Sequence, residues 1–220
     1  TVIDALITCI GQEGLLVMPT FTYGDTFDPD RSPSRTGMLT EVFRQRPGVV
    51  RSSHPTHSVA AWGRDAADVC ADHERVPALG VDSPLDRTAR SGGTILLLGV
   101  GHNSNSTVHV GEAHARVPYL DIPISPDRPS RAKLVRGGET VREVELNERP
   151  GCSRAFGYIE AALRRQGAVR DGKVGKALVQ WMSGQAVIDC TVRVLREDPA
   201  ALLCTDPECY RCSRARERMA

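Results

Sequence analysis

The stretch that most constrains this chain is residues 92–116, GGTILLLGVGHNSNSTVHVGEAHAR. Its apolar run at 94–100 is short and β-branched enough to form a buried strand. Gly101 and the five polar residues 102–106 end that strand, and Ser106 or Thr107, both good N-caps, starts a helix. On that helix His109 and Glu112 stand three apart and so share one face. Open α/β sheets bind ligands where strand ends pass into helices. A histidine one turn into such a helix is well placed to move a proton.

The same alternation runs through most of the chain. The patterning predicts a helix at 1–10, with Ile3, Leu6, Ile7 and Ile10 at helical spacing, then a strand at 15–18 and a long Asp/Pro/Ser-rich loop at 20–35. A helix at 36–45, strands at 49–51 and 59–62, a helix at 65–73 and a loop at 76–90 follow. Beyond the opening segment come a β-hairpin (132–135 and 140–146) about Gly137-Gly138, a helix at 154–166, a strand at 177–181, a helix at 185–196 and a basic, cysteine-rich tail at 202–220. The expectation is an α/β chain: one domain over residues 1–220 with a mixed, helix-covered β-sheet. It is not a Rossmann nucleotide fold, because no G-x-G-x-x-G follows a strand.

Charge and hydropathy narrow the function classes. Lys+Arg 28 against Asp+Glu 27 leaves a net charge of +1, which points to no nucleic acid and no membrane surface as partner. No apolar run approaches the roughly 20 residues of a membrane span, and no signal peptide is evident. The odd count of seven cysteines fits a cytoplasmic protein better than an oxidising compartment. Because residues 1–10 already read as helix without an initiator Met, an amino-terminal piece is expected before residue 1.

Four constellations can carry chemistry. The first is His109 with Glu112; its plain alternative is a helix-terminal imidazole bonded to backbone, with Glu112 capping or pairing with Arg116. The H-x-x-E spacing is a poor metal motif, although His102 and His114 are nearby. The second is HPTHS at 54–58, where two imidazoles and several hydroxyls flank a proline turn; it suits phosphate or pantetheine amides, or is only a polar turn. In the third, the loop at 23–35, Asp25, Asp28 and Asp30 can attract a cation while Ser34, Arg35 and Thr36 open a helix able to receive an anion. A solvated loop is its alternative. The fourth is Cys204-x4-Cys209-x2-Cys212, with Cys152 as a distant fourth thiol. A closed zinc site needs four ligands, and the reading taken is reduced thiols near a surface tail, with no metal site. Cys9, Cys70 and Cys190 fall in apolar helical patterns and read as buried, reduced thiols. No G-x-S-x-G elbow signals a nucleophilic serine.

Several stretches then stop being anonymous: VMPTFT at 17–22, SPSRTGMLTE at 32–41, RSSHPTHSVA at 51–60, LLGVG at 97–101 followed by His109-x-x-Glu112, and GCSRAF at 151–156. In this order they resemble the aminoglycoside 3-N-acetyltransferase (antibiotic N-acetyltransferase) family of bacterial resistance enzymes. The resemblance implies direct transfer of the acetyl group of acetyl-coenzyme A, the cosubstrate, to the 3-amino group of a 2-deoxystreptamine aminoglycoside. It implies that His109 is the general base, assisted by a hairpin carboxylate. Glu143 and Glu145 share one face of the second hairpin strand, and Glu145 is preferred. It implies that Ser34, Arg35, Thr36, His54, His57 and Ser58 face the coenzyme. Tyr23, Asp28 and Glu112 are then expected to meet the cationic acceptor, since acidic groups favour a polycation. The family's opening strand and serine-rich loop, which contribute to the coenzyme pocket, precede residue 1. A homodimer is compatible with this reading. Two alternatives stand beside it: an acetyltransferase for another primary amine, and a non-catalytic, zinc-stabilised binding protein.

Overall fold

Thr1 begins the first helix, α1 (Val2–Ile10), with a capping box: its hydroxyl accepts the Asp4 N–H while the Asp4 carboxylate returns to the Thr1 backbone nitrogen. The structure is a computed structural model that describes residues 1–146 and 150–220. Its backbone gathers into two compact units, residues 1–78 with 129–146 and residues 79–128 with 150–220.

In the first unit, β1 (Leu15–Pro19) runs antiparallel to β4 (Val59–Gly63), which also pairs with the short β3 (Val50–Arg51). α1 and α2 (Met38–Arg44) bury Ile3 and Phe43 against Met18 and Ala60 of this sheet. A second sheet joins β2 (Thr26–Phe27), in parallel, to the hairpin β6 (Arg131–Arg136) and β7 (Glu139–Glu145). Alternate residues Ala132 and Leu134 of β6 point inward to meet Phe27 and Val144, as a half-buried strand requires. α3 (Ala66–Cys70) and a single 3-10 turn (His73–Arg75) complete the unit.

The second unit holds β5 (Thr94–Leu98), paired with β9 (Ala177–Ser183), which pairs in turn with β8 (Arg170–Val174), all antiparallel. The strand predicted from 94 leads through a 3-10 turn (His102–Ser104) into α5 (Thr107–Ala115). α4 (Pro84–Arg90), α6 (Gly157–Arg165), α7 (Gly184–Glu197) and α8 (Tyr210–Met219) complete it. The main core lies here, built from Val108, Tyr119, Phe156, Ile159, Leu163 and Val187 among others. α5 lies flush against α7 because residue 111 is glycine: a Cβ there would sit 2.4 Å from the Thr191 Cβ.

The α/β class and the parallel element expected of a mixed sheet are present, but among the described residues the strands form three separate three-stranded sheets, not one. The hairpin pairs with β2 out of the long loop, so it never joins the strands around β5. Four further features differ from the sequence expectation or escaped it. The loop at 76–90 contains α4, because Pro84 takes the first helical position behind the N-cap Ser83, where proline is favoured and does not break a helix. β8, with the sequence RDGKV, lacks an apolar alternation and was legible only through its pairing with β9. The tail folds as α8, and Cys9, expected to be buried, is exposed. Among the described residues no helix is long and apolar enough to cross a membrane.

Candidate active site

α5 carries the candidate catalytic histidine in the second unit. Ser106 occupies the N-cap position without a side-chain capping bond of its own; the neighbouring Asn105 Oδ1 accepts the Thr107 N–H at 3.2 Å, and the Asn105 and Ser106 carbonyls accept the Val108 and His109 N–H groups. One turn on, the His109 Nδ1–H donates to Glu112 Oε2 at 2.5 Å. The i, i+3 spacing alone brings the two together. Both are buried, at 8% and 3% exposure, so the pair lies away from bulk water. The Phe156 ring packs on the imidazole at an interplanar angle of 66°, with ring centroids 4.8 Å apart. With Nδ1–H committed to the carboxylate, the tautomer leaves the Nε2 lone pair as the basic one.

His109 and Glu112 line a concavity with Leu79, Ala113, Leu120, Pro150 and Arg211. Arg211 comes from the first turn of α8, is almost fully buried, and donates Nη1–H to the Ile122 carbonyl. Its guanidinium lies 5.6 Å from the centre of the Tyr119 ring. The Tyr119 hydroxyl donates to the Pro199 carbonyl at 2.9 Å. Burial first, and then the nearby Glu112 charge, push the phenol well above its ordinary pKa. Gly151 makes room for the arginine, because a Cβ there would lie 1.9 Å from Arg211 Cδ and Nε. Nothing in the sequence marked Arg211, which reads as one of many basic residues in a tail.

Glu145, the carboxylate preferred from the resemblance, belongs to the first unit, where Arg131 bridges it across the hairpin at 2.9 Å. Arg131 also reaches Glu143 at 3.7 Å. The carboxylate on the described His109 imidazole is therefore Glu112.

The other expected site residues lie in the first unit. His54 is buried and its Nδ1 accepts the backbone N–H groups of Thr56 and His57, at 3.3 and 3.2 Å. Burial, with His73 and His57 alongside, holds its pKa well below the ordinary histidine value. Ser58 is also buried: its hydroxyl donates to the Thr20 carbonyl at 2.8 Å and receives Arg51 Nε–H at 3.1 Å. Both residues shape the loop from inside. His57 is half-buried, with its Nδ1 2.8 Å from the Thr56 hydroxyl and its ring 4.6 Å from Phe21 and 5.8 Å from Tyr23. Tyr23 is exposed and holds φ at 72°, a left-handed conformation that costs energy for an aromatic residue.

The Ser34 hydroxyl lies 2.9 Å from that of Thr36 and 2.8 Å from that of Thr40, while Thr36 donates to the Pro19 carbonyl. Arg35 is exposed, anchored through its backbone N–H to the Phe21 carbonyl. Asp28 organises a turn, accepting the Asp30 N–H at 3.0 Å. Arg51, not singled out by the sequence reading, ties this whole loop down. Its guanidinium donates to the carbonyls of Thr20, Pro29 and Ser32 and stacks 4.9 Å from the Phe27 centroid. Burial, with Arg44 nearby, lowers its pKa to about 10.

In the same unit as α5, the four thiols of Cys152, Cys204, Cys209 and Cys212 converge, all four Sγ atoms within 4.8 Å of one another. They are buried, not loose at a surface tail.

Comparison with known proteins closes the assignment. The family described as aminoglycoside 3-N-acetyltransferase matches residues 1–196. An aminoglycoside N(3)-acetyltransferase IV from Salmonella sp is 32% identical over 205 residues, covering 91% of this chain and 75% of that protein. The structure of aminoglycoside acetyltransferase AAC(3)-IVa, a histidine-to-alanine variant in complex with a gentamicin, superposes with a TM-score of 0.84 at 31% identity, over 98% of this chain and 82% of that one. AAC-IIIb in binary complex with CoASH superposes with a TM-score of 0.75 at 25% identity, over 89% and 82%. The chain belongs to the aminoglycoside 3-N-acetyltransferase family.

Proposed function

We propose that this chain acetylates the 3-amino group of a 2-deoxystreptamine aminoglycoside directly from acetyl-coenzyme A, with His109 as general base and Glu112 as the carboxylate that orients it. One observation carries this reading: the buried His109–Glu112 pair lining a concavity in a chain of this family. Glu112 takes the role that the sequence reading gives to Glu145.

An amine attacks the thioester carbonyl as its nitrogen gives up a proton. His109 Nε2 receives that proton, and Glu112 stabilises the imidazolium formed. As the tetrahedral intermediate collapses, the C–S bond breaks and the imidazolium returns the proton to the departing thiolate. The carboxylate keeps Nδ1 protonated and aims the ring; it does not itself take the proton.

Arg35 and His57 are the groups we assign to the coenzyme. Arg35 is exposed, and its planar guanidinium matches a phosphate. His54 and Ser58 act by holding the His57 loop from inside. Tyr23 is assigned to the acceptor side. The gentamicin complex of AAC(3)-IVa and the CoASH complex of AAC-IIIb support the two ligand classes. A resistance role and action within the cytoplasm follow from the same reading.

The test is thiol release from acetyl-coenzyme A against a panel of amines. Turnover is expected with deoxystreptamine aminoglycosides, the product carrying its acetyl group on the 3-amino nitrogen. Turnover only with unrelated amines moves the acceptor elsewhere, and silence across the panel overturns the reading.

A further inference from the structure

We propose that Cys152, Cys204, Cys209 and Cys212 bind one zinc ion as a closed tetrathiolate that anchors α8 to its unit. A tetrahedral zinc with bonds of about 2.3 Å sets its four sulfurs roughly 3.8 Å apart. The four Sγ atoms already lie within 4.8 Å of one another, so small side-chain rotations complete the cage. No cysteine elsewhere in the chain joins this cluster among the described residues.

The surroundings suit a metal better than four packed thiols. The ligands come from three separate segments: the turn before α6, the irregular stretch after α7, and the start of α8, where Cys209 is the N-cap. Backbone N–H groups already donate to the sulfurs: Arg154 to Cys152, Asp206 to Cys204, and Cys204 to Cys212. Such bonds spread the charge that four thiolates and one dication leave behind. Arg216 donates to the carbonyls of Leu203 and Cys204, placing a cation over the same turn. All four thiols are buried, so no coordination position opens to a substrate and the metal is structural.

Such an anchor would add to the hold that buried Leu202 and Leu203 already give this end of the chain. α8 buries Arg211, Cys212 and Ala215, a small apolar contribution for a ten-residue helix with arginines at 211, 214, 216 and 218. Residues 198–209 contain no helix or strand to hold them. The consequence reaches the concavity, because Arg211 precedes the ligand Cys212 and lines it beside His109 and Glu112. The inference stands on the thiol geometry and is independent of the proposed acceptor.

Elemental analysis of the purified chain is expected to give one zinc per chain, released by a mercurial reagent that titrates the thiols. Cobalt reconstitution of the wild-type chain is expected to give the visible spectrum of a tetrahedral tetrathiolate. Cys209→Ser and Cys212→Ser are expected to lose the metal, while Cys9→Ser and Cys70→Ser keep it. If the serine variants do not fold, metal content and cobalt spectrum of the wild type decide. A chain that stays zinc-free after reconstitution under reducing conditions, gives no cobalt spectrum, or yields these four cysteines as two disulfides overturns the proposal.

Discussion

The Nδ1–H of His109 donates to a carboxylate three residues away, so one helical turn supplies both the proposed base and the proposed orienting group. His109→Ala should lower kcat by about 10²–10⁴, the usual contribution of a general base. Glu112→Gln should lower kcat with a smaller effect on KM, because it removes the charge that stabilises imidazolium but no surface that binds coenzyme. Steady-state kinetics on both variants, with circular dichroism to confirm folding, check this; an undiminished kcat in Glu112→Gln would return the role to Glu145. His54 makes a second, separate prediction. The folded chain keeps it neutral and its pKa depressed, while in the unfolded chain it titrates at about 6.5. The unfolded state therefore binds more protons below that range, and stability present above it falls as pH drops through it. Urea unfolding at neutral pH and at a pH of about 5 should show the loss, with a shallower slope in His54→Asn, whose amide oxygen can still accept the loop N–H groups. At this scale the sequence showed that His109 and Glu112 share one helix face, because that relation is local, but it preferred Glu145 as the carboxylate beside the imidazole. It could not show that His54 and Ser58 face inward, since burial depends on elements that arrive from elsewhere.

Helix contacts set the next level. α5 carries the site, and its depth against α7 depends on residue 111 having no side chain. Gly111→Ala should destabilise the chain by about 1–3 kcal/mol, the usual cost of overpacking, read as a lower denaturation midpoint. Gly151→Ala tests a different joint, where a Cβ collides with Arg211. It should reduce turnover without altering any residue of α5, while a wild-type rate would show that Arg211 tolerates displacement. α1, α7 and the hairpin were legible because hydrophobic period and the Gly137-Gly138 turn agree locally, and α5 because the polar stop at 102–106 separates it from the strand before it. α4 was hidden behind a proline that starts a helix, and β8 and α8 behind polar sequences. Those three form because β9, the cysteine cluster and the core of their unit give them partners.

Over the whole molecule, the metal proposal makes the broadest prediction. Chelation should lower Tm and raise amide exchange in α6 and α8, while α1, β1 and β4 of the first unit stay protected; hydrogen-exchange mass spectrometry reads both at once. Uniform loss of protection across both units would show that the cysteine cluster does not act locally. The family was legible from the order of short motifs along the chain, because each motif serves a local turn, loop or strand end. Sequence by itself therefore determined the α/β class, the family, and a histidine with a glutamate one turn away on the same helix face, all consequences of spacing and motif order along the backbone. Only the tertiary structure decided that the strands divide among three sheets, that Arg211 enters the wall beside His109, and that Cys152 meets three thiols more than fifty residues later. Those outcomes depend on which segments pack together, and packing between distant segments leaves no periodic trace in the segments themselves.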